Sequence, residues 1–336
     1  MTLRERGLAA LRHEQPDQTP YNLGFTVPAY ARLVQYYGGD APLHALGNCL
    51  AATEAKTPGQ AWTEVRPNFW RDEFGVVWNR TIDKDIGNVE SYQLSERALG
   101  GYTFPDPHDP RRYAHFPQFV RDNGDRVTGC NIGFSLFERA WTLRGMENLL
   151  VDMVEAPEFV DELLDAITEY NLGIIQEACR FPIDFCMFGD DWGHQRGVIM
   201  GPVKWRRFIK PRLQRMYGAV KSAGRYVIIH SCGKVDELFR DLIEIGLDCF
   251  NPFQPEVIDV YAAKREYGRD LAFYGGVSTQ RTLPYGTPED VRREVHRLCK
   301  EIGQGGGYIC SPAHAVPGDV PVENLLALIE AVQNAP

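Results

Sequence analysis

The stretch Tyr226-Val227-Ile228-Ile229-His230-Ser231-Cys232-Gly233 decides how this chain is read. Its apolar run has no polar alternation. Such a run reads as a strand buried on both faces, as in a parallel sheet covered by helices. It ends in an imidazole and a thiol two residues apart. Side chains alternate with period two along a strand, so both groups are expected to point the same way. Downstream, the pattern repeats. A helix is expected over 235–245 with Gly246 as its stop, then a strand over 247–253 and a helix over 257–267 closed by Gly268. Strands at 271–274 and 307–310 alternate with helices at 288–302 and 322–332. Upstream, strands at 127–132 and 185–188 alternate with helical periodicity over 136–153, 159–178 and 202–223.

This makes six strand–helix units from residue 127 onward. Two more strands from the N-terminal part would complete an α/β fold of the (β/α)8 TIM-barrel kind. A doubly wound open sheet is the rival. Against it, no Gly-x-Gly-x-x-Gly follows an early strand, and the glycine-rich run 303–307 precedes a strand rather than a helix. The opening residues 3–13 read as a short amphipathic helix and 21–25 as a first short strand. Residues 28–125 read as an irregular, partly antiparallel elaboration, with strands expected at 74–78 and 92–94. The whole of 1–336 is thus expected to be one elaborated barrel domain.

Composition narrows the function. The 336 residues are 24% charged and 44% hydrophobic, an ordinary globular balance. A net charge of −9 disfavours nucleic acid, whose binders need a clustered basic surface. No apolar run reaches the roughly 20 residues of a membrane span, and the N-terminus lacks an apolar signal core. A cytoplasmic protein is expected, and its eight cysteines are read as reduced thiols, mostly small buried hydrophobes.

Barrels place their chemistry at the C-terminal ends of the strands. Following the apolar runs in order, those positions hold Asn131, then Asp190 and Asp191 with His194, then His230 and Cys232. Asn251, Gln254, Tyr274, Cys310 and His314 complete the set. Imidazole and thiolate are suited to zinc, and three protein ligands with an open position mark a catalytic zinc. The alternative for His230-Ser231-Cys232 is a buried thiol beside a hydrogen-bonded histidine. Cys310 and His314 both follow the last strand and compete for third ligand. Asp190 and Asp191 read either as helix-capping carboxylates or as a pair of which one faces the barrel mouth. Asn251, Gln254 and Tyr274 are expected substrate contacts.

The chain resembles the uroporphyrinogen decarboxylase superfamily, which includes corrinoid-dependent methyltransferases. The residues that carry this are Arg4-Glu5-Arg6-Gly7-Leu8-Ala9-Ala10-Leu11 with Pro16-Asp17, Gly189-Asp190-Asp191-Trp192-Gly193 and His230-Ser231-Cys232-Gly233. Asn251-Pro252-Phe253-Gln254-Pro255-Glu256, the run from Gly275 to Leu283, and Pro321-Val322-Glu323-Asn324 extend it. The resemblance implies a (β/α)8 barrel. True decarboxylases of the superfamily grip tetrapyrrole carboxylates with an arginine-rich N-terminal motif. The matching stretch here, Asn22-Leu23-Gly24-Phe25, has no arginine. The methyltransferase branch binds zinc through His-x-Cys and a later Cys. His230 and Cys232 match, while His314 falls at the last-cysteine position, with Cys310 as the alternative. The expected function is therefore zinc-dependent transfer of a methyl group between a small methylated substrate, or a thiol acceptor, and a separate corrinoid (cobalamin) protein. A demethylase component fits the His-for-Cys change best. Asp190 is the expected catalytic carboxylate, with Asn131, Asp191, His194, Asn251, Gln254 and Tyr274 binding substrate. The rivals are a metal-independent decarboxylase or lyase, in which Asp190 is the acid, and a barrel that binds a small molecule or corrin without turnover.

Overall fold

The computed structural model describes residues 1–335. Seven strands form one parallel sheet: β1 (Leu50–Glu54), β6 (Val127–Ile132), β7 (Phe185–Gly189), β10 (Tyr226–His230), β11 (Cys249–Phe253), β12 (Ala272–Val277) and β13 (Tyr308–Pro312). Segment 20–23 closes the ring between the first and last of these. The Cys310 N–H donates to the Pro20 carbonyl at 2.8 Å, and the Asn22 N–H to the Cys310 carbonyl at 3.0 Å. On the other side the Cys49 N–H donates to the Tyr21 carbonyl at 3.0 Å. Closure leaves no open sheet edge. The (β/α)8 expectation is met, with 20–23 and β1 as the two N-terminal strands. Only the first of them was expected. The second, Leu-Ala-Ala-Thr-Glu, is too small and mixed in polarity to stand out as a strand.

The strand residues divide cleanly by parity. Leu50, Val127, Phe185, Ile228, Cys249, Ala272 and Ile309 point inward and pack on Leu8, Ala10 and Leu11 of the first helix. That helix (Leu3–Leu11) begins with a Thr2/Glu5 capping box and seals the N-terminal end of the barrel. Its approach is close: a Cβ at Gly7 would sit 2.7 Å from Val127 Cγ2. Inside, Gly129 leaves the space that the Phe185 ring occupies. The intervening strand residues, such as Cys130, Phe188, Ile229 and Phe250, face the helical shell. Both strand faces are apolar because both are covered.

The elaboration differs from expectation in register. Its antiparallel sheet has four strands: β2 (Trp62–Arg66), β3 (Phe69–Asp72), β4 (Val77–Asn79) and β5 (Asn88–Ser91). Residues 74–76, expected in a strand, form a turn instead. Asp72 Oδ1 accepts the Phe74 and Val76 N–H groups, and Gly75 takes φ +85°. The expected helix 136–153 is two helices, Phe137–Arg144 and Met146–Glu155, separated by Gly145 at φ +93°. A small hairpin, β8 (Gly193–His194) with β9 (Gly197–Val198), follows β7. No helix among the described residues is long and apolar enough to cross a membrane.

Candidate functional site

His230 ends β10, in register with Asn251 on one side and Gly189 on the other. Two residues beyond inward-facing Ile228, it points into the barrel mouth. Its Nδ1 lies 2.6 Å from Asn251 Oδ1. The orientation of that amide is fixed, because Asn251 Nδ2 donates to the Tyr274 carbonyl at 2.9 Å. Asn251 therefore presents an acceptor, His230 donates from Nδ1, and the Nε2 lone pair is left facing the mouth. Cys232 Sγ lies 3.4 Å from that Nε2. The His314 ring stands 5.4 Å from the His230 ring, centroid to centroid, at 71°. One donor atom from each of His230, Cys232 and His314 falls within 4.8 Å of the others.

Parity separates Cys310 from His314. Ile309 faces the barrel interior, whereas Cys310 packs in the outer shell and is fully buried. Its thiol is pushed well up, first by hydrogen bonding with Cys299 and then by burial. Cys310 therefore faces away from the mouth, and it is His314 that comes together with His230 and Cys232.

The electrostatics suit a cation. Burial, and after it Asp191, pushes the Cys232 thiol up, so without a cation it stays protonated. Desolvation, and after it His230, lowers the His314 pKa, which keeps its lone pair free although the side chain is exposed at the mouth. Asp191 Oδ1 accepts the Cys232 N–H at 2.8 Å and lies 3.9 Å from His230 Nε2. Two imidazoles, a thiol and a nearby carboxylate form a donor set that fits zinc.

The carboxylate pair divides otherwise than expected. Asp190 is fully buried. Its oxygens accept the N–H groups of Leu136, Phe137 and Glu138 at 3.1, 3.1 and 2.8 Å, and that of the Trp192 indole. It caps the N-terminus of helix Phe137–Arg144 and does not reach the mouth. Burial pushes it up to about 6 against the pull of these bonds. Asp191 takes the exposed place. Glu138 was missed by the sequence reading. It sits in the first turn of that helix, and its carboxyl is pushed well up by burial and then by Asp191 and Asp190. Its position just after the β6 end was the only available signal.

The expected substrate contacts also sort by geometry. Gln254 is buried and its Oε1 accepts the Gly233 N–H at 2.7 Å, so it holds the Cys232 loop. Gly233, at φ +88°, crosses the Gly193 backbone so closely that a Cβ would overlap it. Asn251 orients His230. The Tyr274 hydroxyl accepts from Asn22 Nδ2 at 2.8 Å, tying β12 to the closing segment. His194 is exposed on the β8–β9 hairpin, and its Nδ1 accepts the Arg196 N–H at 3.2 Å. Asn131 lines a cavity of about 370 Å³ between the barrel mouth and the antiparallel sheet, walled by Trp62, Phe74, Trp78 and Phe134.

Residues 133–335 match the family described as Uroporphyrinogen decarboxylase (URO-D). The chain belongs to the uroporphyrinogen decarboxylase family. Within this family it is 26% identical over 200 residues to a methylated-thiol–coenzyme M methyltransferase of Methanosarcina mazei, covering 60% of this chain and 51% of that protein. It is 26% identical over 178 residues to the methylcobamide:CoM methyltransferase MtaA of Methanosarcina barkeri, covering 53% and 50%. Uroporphyrinogen decarboxylases match at similar identity. The chain spans about half the length of the first of these curated relatives. Its fold superposes on a methyltransferase from Methanosarcina mazei with a TM-score of 0.74 at 19% identity, over 99% of this chain and 98% of that one. The uroporphyrinogen decarboxylase family thus accounts for the barrel and supports an enzyme. Its named relatives include both methyltransferases and decarboxylases.

Proposed function

We propose that this chain is a zinc-dependent methyltransferase that exchanges a methyl group between a small methylated substrate and a separate corrinoid protein. The observation that carries the reading is the His230–Cys232–His314 cluster at the barrel mouth. A thiol beside two imidazoles, with His230 Nε2 left free by the bond from Nδ1 to Asn251, is a donor set of the kind a catalytic zinc uses. Bound there, zinc would act as a Lewis acid on the heteroatom that carries the methyl group. One thiolate rather than two leaves the centre less anionic, which favours the demethylating direction.

The chain's own residues supply the rest. Asn251 orients His230, and Gln254 and Asp191 fix the loop that carries Cys232. Glu138, whose carboxyl is pushed well up by burial and then by Asp191 and Asp190, is the residue we assign to give a proton to the leaving heteroatom. Decarboxylation is less well supported. Asp190 is locked in a helix cap, and residues 22–25 offer no arginine for a polycarboxylate.

The test is methyl transfer by the zinc-loaded protein to a reduced corrinoid protein, across ethers, thioethers and amines. Transfer abolished by Cys232→Ala supports the reading. Turnover unaffected by that change and by chelation would overturn it.

A further inference from the structure

Three of the eight cysteines meet on the outer face of the barrel sheet, away from the mouth. Cys130 on β6 and Cys186 on β7 sit side by side in register, and both are buried against the helical shell. Cys179 caps the C-terminus of the helix Pro157–Ala178 and packs on the same core while staying partly exposed. A tight turn brings the chain back from it to the strand. The Phe181 N–H donates to the Ala178 carbonyl at 3.1 Å, the Ile183 N–H to the Phe181 carbonyl at 2.8 Å, and β7 starts at Phe185. This turn sets Cys179 within hydrogen-bonding reach of Cys186. The trio does not suit a metal: among the described residues, the mouth cluster alone gathers three such ligand atoms within 4.8 Å.

A guanidinium sets the chemistry here. Arg225 reaches the Phe181 carbonyl at 3.4 Å through one terminal nitrogen, while its Nε is a buried donor with no partner. Such a donor favours an anion beside it. The Arg225 charge acts on both Cys179 and Cys186. Hydrogen bonding from Cys186 lowers the Cys179 pKa, and Arg225 adds to that pull against burial. Cys186 moves well up, by the same bond and then by burial. One thiol is thus poised to ionise while its neighbour keeps a proton. The deeper thiols lack this balance. Burial pushes Cys49 and Cys130 up to about 12. Cys299 and Cys310 also meet, but both are closed to solvent.

We propose that Cys179 and Cys186 are a redox pair that hydrogen peroxide converts to a disulfide. Cys179 is the thiol attacked, and Cys186 resolves it. The Cys179 thiolate attacks the peroxide: the O–O bond breaks, a sulfur–oxygen bond forms, and the departing hydroxide takes up the proton that Cys179 lost, giving one water. The Cys186 sulfur then displaces the hydroxyl of that sulfenic acid, which leaves with the Cys186 proton as a second water. Two thiols give up two electrons, and one peroxide is reduced to two waters. The crosslink ties the end of the helix to β7, the strand that leads into Asp190 and Asp191. It requires neither zinc nor methyl transfer.

The test treats the reduced, zinc-loaded full-length protein with hydrogen peroxide, blocks the remaining thiols in denaturant and digests with trypsin without reduction. Arg180 lies between the two cysteines, so the crosslink joins peptides 145–180 and 181–196, each of which holds one cysteine. That linked pair is the expected product, with free thiols falling by two from the eight of the reduced chain. Cys179→Ser alters a partly exposed side chain and is expected to fold, checked by circular dichroism, and to lose both the crosslink and the fall in thiols. In Cys186→Ala, Cys179 is expected to stop at the sulfenic acid, trapped by dimedone and read by mass. Eight free thiols after peroxide, a Cys130–Cys186 or Cys299–Cys310 crosslink instead, or oxidation of Cys232 ahead of Cys179 overturns the inference.

Discussion

Asn251 should control metal affinity without touching the metal. Its Oδ1 holds His230 Nδ1 at 2.6 Å, and its Nδ2 is anchored on the Tyr274 carbonyl at 2.9 Å. Asn251→Ala removes both bonds at a buried position. The His230 ring then loses its orientation and its tautomer preference, so that Nε2 is no longer reserved for a cation. Loss of such a partner costs about 10- to 100-fold in metal affinity, equivalent to about 1.4–2.8 kcal/mol. The unpaired Tyr274 carbonyl adds about 1–3 kcal/mol of lost stability, which a denaturation curve separates from the metal effect. Asn251→Asp is the companion variant. It keeps an acceptor for Nδ1 and should retain zinc binding while losing the bond to Tyr274. The assay is zinc competition against a chromophoric chelator, with circular dichroism to establish folding. A folded Asn251→Ala protein that binds zinc as tightly as the wild type would refute the orienting role.

Three further outcomes follow from the geometry. Cys232→Ser should abolish stoichiometric zinc binding while Cys310→Ser leaves it intact, measured by metal analysis after gel filtration; equal loss in both would contradict the parity argument. Asp190→Ala should cost about 2–4 kcal/mol in denaturant unfolding, because three helix N–H groups and an indole lose their acceptor, whereas Asp191→Asn should leave stability nearly unchanged and reduce turnover. Lys264, whose ammonium donates to the Gly306 carbonyl at 2.6 Å, is lowered from 10.5 to about 8 by burial. The unfolded chain therefore binds the extra proton between those values, so wild-type stability relative to Lys264→Met should rise with pH from about 8 to 10.5, by up to about 3 kcal/mol; a flat difference across that window would show that burial does not penalise the charge.

The barrel was legible because covered parallel strands advertise themselves. Tyr226–His230 and Cys249–Phe253 are apolar on both faces and end in polar groups, so strand and site were read together. Leu50–Glu54 was not, since Ala52 and Glu54 are exposed and the run carries no apolar pattern. The antiparallel sheet was sensed but misplaced, because Asp72 turns residues 74–76 through bonds that hydropathy does not reveal. In the site, His230 and Cys232 were legible from period two alone. The family resemblance already put His314 ahead of Cys310, and the outward facing of Cys310 on β13 agrees with it. The exchange of roles between Asp190 and Asp191 needed the helix that Asp190 caps. Glu138 acquires its character only from burial beside those carboxylates, a property of tertiary packing.

The central claim is a zinc centre of two imidazoles and one thiolate. X-ray absorption at the zinc edge of the zinc-loaded protein tests it directly. The account predicts one sulfur at about 2.3 Å with nitrogen or oxygen neighbours at about 2.0–2.1 Å, and no sulfur in Cys232→Ser. Two sulfurs in the wild type, or a spectrum unchanged in Cys232→Ser, would contradict it.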